Sequence, residues 1–127
     1  MKKYQVIIPA DIIPYPEKHE MTAAALLTSH FKTDIKFVVR SNHKTADFFI
    51  TDTYWELKSP TGKGKRNIQR NLQAALTQSQ NIIFDARRSK MNQNKIVHEL
   101  QAQFLITRKI KRLILITKTG KIVEFNR

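Results

Sequence analysis

Asp47, Glu56 and Lys58 are the residues of this chain whose types and spacing could do chemistry together. Only ten of the 127 residues are acidic, so the place of each carboxylate carries information. Asp47 falls in the run Ala46-Asp47-Phe48-Phe49-Ile50 and Glu56 in Tyr54-Trp55-Glu56-Leu57-Lys58, with Asp52-Thr53 as turn residues between them. A hairpin of these two strands brings carboxylates nine positions apart in sequence onto neighbouring strands. Residues two apart in a strand share a face, so Glu56 and Lys58 project together while Trp55 and Leu57 point to the opposite, apolar side. That face offers two hard oxygen donors for a divalent cation, with magnesium the expected ion, and an ammonium beside them. Phosphodiester cleavage uses this combination: the ion acidifies a bound water and holds the scissile phosphate, and the lysine orients the nucleophile or stabilises developing charge. Glu20, in the first turn of a preceding helix, is placed to complete the set by accepting a metal-bound water. The plainer alternatives are a solvent-side Glu56–Lys58 ion pair that contributes little and a Glu20 favoured only by the helix dipole.

The charge of the whole chain points the same way. Lys plus Arg number 23 against 10 Asp plus Glu, a formal net charge of +13 and a pI near 10.3. Such a chain seeks polyanions, of which nucleic acid is the commonest partner, because neutralised phosphates release counterions. An anionic membrane surface or an acidic protein remains open. Lys63, Lys65, Arg66 and Arg70 follow Lys58 closely, no acidic residue stands between Glu56 and Asp85, and Arg87 and Arg88 come directly after. These six are the expected phosphate contacts, against the alternative of a solvated basic face. Gly62 and Gly64 lack phosphate-loop spacing, which excludes nucleotide hydrolysis on that ground. Asp85, closing an apolar run, reads as a loop anchor, Trp55 as core, and Gln78 either supports the centre or ends a helix. There is no cysteine, and His19, His30, His43 and His98 lack the paired short spacings of zinc motifs. No apolar run approaches the roughly 20 residues of a membrane span, and Met1-Lys2-Lys3-Tyr4 leads into a strand instead of a signal-peptide core.

The elements that must position these groups are readable in order. Tyr4 to Pro9 predicts a short strand, Pro14-Tyr15-Pro16 an extended loop, and His19 to Phe31, with its Ala23 to Leu27 block, a helix. Ile35 to Val39 predicts a strand and Ser41-Asn42-His43-Lys44 a turn before the hairpin. From Lys65 onward Ile68, Leu72, Ala75, Leu76 and Ser79 share one helical face, and the strand Ile82 to Phe84 follows. A further helix with Val97, Leu100 and Phe104 on one face leads to a hairpin of Leu113 to Ile116 and Lys121 to Phe125 around Thr119-Gly120. The expected architecture is a single α/β domain over 1–127, a mixed central sheet flanked by helices. Its core spans about 19–85, and the C-terminal helix and hairpin about 94–127.

Glu20 on the first helix, Asp47, and then Glu56-Leu57-Lys58 resemble the pattern of the PD-(D/E)xK nuclease superfamily, whose core runs αβββαβ. More narrowly, His19-Glu20, Ala46-Asp47-Phe48, Trp55-Glu56-Leu57-Lys58-Ser59-Pro60 and Gln78 to Asp85 are similar to the C-terminal tRNase-like toxin domains of bacterial contact-dependent growth-inhibition proteins, also found on some phage head-morphogenesis proteins. The resemblance covers nearly all of the chain from residue 19; Ala46 stands where the superfamily's name has proline. It implies an endonuclease acting on RNA, often tRNA, with DNA the rival substrate and a non-catalytic nucleic-acid-binding module the alternative. It further implies an immunity protein as partner, and action in the cytoplasm by a domain at the end of a longer secreted or phage-associated protein. Some related toxin domains are metal-independent ribonucleases of another fold.

Overall fold

Each strand of this chain pairs with the strand before it in sequence. The computed structural model describes residues 3–40 and 45–127, so the turn expected at Ser41 to Lys44 lies outside the described residues. The elements run β1 (Val6–Ile7), α1 (Lys18–Phe31), β2 (Ile35–Phe37), β3 (Phe48–Ile50), β4 (Thr53–Lys58), α2 (Asn67–Leu76), β5 (Asn81–Asp85), α3 (Gln93–Ile106), β6 (Arg112–Ile116) and β7 (Ile122–Glu124). They form one seven-stranded mixed sheet in the order β1 to β7. β1–β2, β4–β5 and β5–β6 are parallel, and the remaining neighbours antiparallel. The parallel pairs are those joined through helices, because only a crossover returns the chain to the same end of the sheet. The expected α/β class, element order and C-terminal helix and hairpin are all present.

Strand alternation divides the apolar side chains into two cores. On one face α1 lays Ala23, Ala24 and Leu27 against Ile35, Phe37, Phe48, Trp55, Leu57 and Ile83. On the other, α2 and α3 bring Ile68, Leu72, Ala75, Ile96, Leu100 and Phe104 onto Ile82, Phe84, Leu113 and Leu115. Trp55 is fully buried in the α1 core, as its alternation with Glu56 predicts.

Several boundaries differ from expectation for local reasons. α2 starts at Asn67, after a turn in which the Asn67 N–H donates to Gly64 O at 3.0 Å, so Lys65 and Arg66 precede the helix. Its end is also earlier: the N–H groups of Thr77, Gln78 and Ser79 turn back to Ala74 and Ala75, and Ser79 leaves the helical face to donate its hydroxyl to Tyr54 O at 2.8 Å. The β3–β4 turn is centred on Thr51 and Asp52, at φ 40° and 64°, while Thr53 already belongs to β4. Two positive-φ residues make a turn whose twist matches that of the flanking strands.

Candidate active site

The centre forms where the β3–β4 ladder opens. Phe48 lies opposite Trp55, yet the Asp47 N–H also reaches Trp55 O, at 3.1 Å. Two residues of one strand thus face one of the other, the arrangement of a β-bulge, which re-aims a side chain. The re-aimed Asp47 carboxylate accepts the Leu57 N–H through Oδ2 at 2.9 Å, fixing it beside Glu56. Glu56 is only 5% exposed, and Lys58, two positions on, sets its Nζ 3.5 Å from Glu56 Oε2. Glu56 Oε1 is buried and accepts no hydrogen bond. Burial first, and then the charge of the neighbouring Asp47 carboxylate, push the Glu56 carboxyl up from 4.5 to about 8, against the opposing pull of Lys58. The physical cause is plain: two carboxylates this close can share a proton, but as two anions they need a cation.

Glu20 sits across a cleft of about 330 Å³, which Asp47, Arg40, His19 and Arg88 also line. Its Oε1 accepts the Glu17 N–H at 2.8 Å in a capping box at the start of α1, so the helix-end role is real. Its Oε2 faces Arg40 at 3.8 Å, and the same guanidinium nitrogen lies 3.5 Å from Asp47 Oδ1. Arg40 therefore stands between Glu20 and Asp47. Among the described residues no three His, Cys, Asp or Glu side chains are grouped to hold a metal ion. The donors that fit one are Asp47 and Glu56, with the unpartnered Oε1 as the observation in favour. Magnesium in particular needs few protein carboxylates, because it keeps water and substrate phosphate as its other ligands.

The basic residues divide into two groups. Lys63, Lys65, Arg66 and Arg70 are exposed, and the last three line a shallow pocket of about 360 Å³ at the start of α2 with Gly64, Asn67 and Asn71. No acidic side chain lines it. Arg87 and Arg88 are instead tied into the fold. Arg87 Nη2 lies 2.6 Å from Oδ2 of the fully buried Asp85, its Nε donates to Asp85 Oδ1 at 2.9 Å, and Nη2 also donates to His19 O at 2.8 Å. That makes Asp85 the loop anchor expected and Arg87 its partner, clamping β5 to α1. Arg88 donates to Ser59 O at 3.1 Å and meets His19 Nδ1 at 3.2 Å, at the cleft's rim.

Residues 44–122, well over half of the chain, match the model of the contact-dependent growth inhibition CdiA C-terminal domain. The chain belongs to this family. Among solved structures, the fold of this CdiA C-terminal domain is similar to a chain of the CdiA-CT/CdiI toxin and immunity complex from Burkholderia pseudomallei. The TM-score is 0.62 at 19% identity, over 97% of this chain and 99% of that one. No curated protein sequence matches the chain. The family match contains Asp47, Glu56 and Lys58 but begins beyond Glu20, Arg40 and His19.

Arg40 and His19 were not singled out as site residues by sequence. His19 was a lone histidine without metal spacing, and nothing in the order of residues tells that Arg40 faces two carboxylates. Only the β2–β3 pairing, with Phe37 opposite Phe48, carries the end of β2 to Asp47.

Proposed function

We propose that this domain is a toxin nuclease that cleaves phosphodiester bonds in RNA, with tRNA as the expected substrate, at Asp47, Glu56 and Lys58. The observation that carries the proposal is the buried Glu56, which has one oxygen held by Lys58 and the other unpartnered, beside a second carboxylate. A structural ion pair has no use for a second anion beside it, which destabilises it; a centre that must hold a cation or move a proton does.

Asp47 and Glu56 would hold the divalent ion, which when bound supplies Lewis acidity and a water of lowered pKa. Lys58 places a positive charge next to Glu56, where it neutralises charge building on the phosphate. Arg40 screens Asp47 from Glu20 and can turn toward an entering phosphate, since its side chain is about half exposed. Lys63, Lys65, Arg66 and Arg70 grip the backbone at the start of α2, and Arg88 does so from the cleft rim. Glu20 completes the centre from α1 by accepting a hydrogen bond from a water in the cleft.

An immunity protein is the expected partner, since the structurally similar chain comes from a toxin and immunity complex. The family is that of a C-terminal domain, which supports a place in a longer secreted protein; the expected site of action is the cytoplasm of the cell it enters. The test incubates the protein with tRNA and with plasmid DNA, each with magnesium or with chelator, beside Glu56→Gln and Asp47→Asn. Magnesium-dependent tRNA cleavage, lost in both variants, is expected. Cleavage of plasmid alone transfers the proposal to DNA, and cleavage that survives chelator makes the two carboxylates an acid–base pair instead of ligands. Turnover untouched by either substitution refutes the centre.

A further inference from the structure

The sheet face opposite α1 is not covered evenly. α2 and α3 close it over β5 and β6, and α2 reaches part of β4, but across β2, β3 and the start of β4 it presents a row of three residues in register, Lys36 opposite Phe49 and Phe49 opposite Tyr54. Phe49 and Tyr54 pack edge-on with centroids 4.8 Å apart, and Tyr54 remains 54% exposed. An aromatic ring left half in water on a sheet has burial still to gain. The row walls a groove of about 450 Å³, and this groove shares Phe37 and Val38 with the cleft that Asp47 and Glu20 line. The two hollows therefore adjoin at the end of β2. Tyr54 also precedes Glu56 by two positions on the same strand face, a step of about 7 Å.

We propose that Tyr54, backed by Phe49 and flanked by Lys36, stacks an unpaired nucleobase of the strand whose phosphate lies at Glu56 and Lys58. The inference rests on the nuclease reading above and adds a preference for single-stranded or looped nucleic acid. The chemistry suits this occupant more than another. A flat exposed ring accepts any base through its π-face, and a lysine beside it draws in the phosphate that accompanies the base. Asp11, the one carboxylate lining the groove, offers an acceptor for a base amino group. In a duplex the bases are stacked on one another and present no free face, so the platform selects strands whose bases are already unpaired.

The experiment uses Glu56→Gln protein, to prevent turnover, and a short RNA strand carrying 2-aminopurine, whose fluorescence falls when the base stacks. Binding is followed by anisotropy with the free strand and with the same sequence in a duplex. Quenching on binding is expected, with roughly tenfold weaker affinity and loss of quenching in Tyr54→Ala and Tyr54→Leu, both retained in Tyr54→Phe, and unchanged duplex affinity. Tyr54→Leu keeps an apolar side chain at the position, so its melting temperature separates loss of stacking from loss of fold. Equal binding and quenching by Tyr54→Leu and its parent, or equal losses for strand and duplex, overturn the proposal. If the Glu56-intact protein cleaves nothing while quenching depends on Tyr54, the nuclease reading fails and the stacking site stands. If cleavage is found and ignores Tyr54, the stacking site alone fails.

Discussion

Glu56 makes the stability of this domain depend on pH in an unusual direction. An ordinary carboxylate that gains a partner on folding stabilises the protein as pH rises. Glu56 does the reverse, because its carboxyl is pushed up from 4.5 to about 8 by burial and by Asp47. Between those two values the folded chain holds a proton that the unfolded chain has released, so stability is fully present below about pH 4.5 and is lost as pH rises toward 8. A shift of this size corresponds to at most roughly 5 kcal/mol, and relaxation of the pocket reduces it to about 2 to 5. At about 3 to 5 °C per kcal/mol for a domain of this size, the melting temperature in chelator falls by roughly 6 to 25 °C from pH 5 to pH 8.5 through this group alone. Glu56→Gln keeps the shape and removes the proton equilibrium. Thermal melts of the two proteins should lie close together at pH 5 and diverge as pH rises, with the variant the more stable at pH 8.5. Millimolar magnesium should raise the melting temperature of the parent at pH 8.5 and leave the variant unmoved. Parallel pH profiles for the two proteins would refute the account of Glu56 as a buried, Asp47-opposed carboxyl.

Asp85→Ala strands the Arg87 guanidinium against a buried position and should cost about 3 to 5 kcal/mol, read as a lower urea midpoint, with Asp85→Asn less damaging. Lys32 closes α1 at φ 53°, exposed and with its N–H donating to Thr28 O at 2.8 Å, so Lys32→Gly should relieve about 1 kcal/mol of left-handed strain and raise the melting temperature by roughly 4 °C. Replacing Lys63, Lys65, Arg66 and Arg70 by Gln, one at a time, should each reduce the slope of log affinity for RNA against log salt by about 1, measured by anisotropy, without moving the melting temperature. Arg87→Gln should behave oppositely, lowering stability through loss of the Asp85 clamp.

The parts of the site that follow from alternation were legible in the sequence. Tyr54 to Lys58 has one register that buries Trp55 and Leu57, and that register alone sets Glu56 and Lys58 together on the other side. The element order followed likewise, because each strand and helix has its own period and its own stop residues. What alternation could not show is a break in alternation. Asp47 is brought to Glu56 by a bulge, and the only trace of it is a backbone bond to the carbonyl that Phe48 already faces. Arg87 looked like one more exposed cation because it lies beyond the end of β5, and the order of residues does not tell that the chain turns there and folds the guanidinium back onto Asp85. Of the two readings of Glu20 the structure bears on the helix end, which one of its oxygens caps, while the other faces Arg40 in the cleft.

The order of the strands bears on how the chain can acquire its shape. β1 to β7 lie across the sheet in the sequence in which they are made, so every strand pairs with one already in place and none has to be inserted later between two others. Contacts of this kind close short loops, which favours rapid folding. A chain so arranged can assemble from its first strand onward as it emerges end first from a narrow passage, and it can be unravelled from the β7 edge one strand at a time. The hairpin of β3 with β4, which carries Glu56 and Lys58, is laid down near the middle of that progression, before α2 packs on β4.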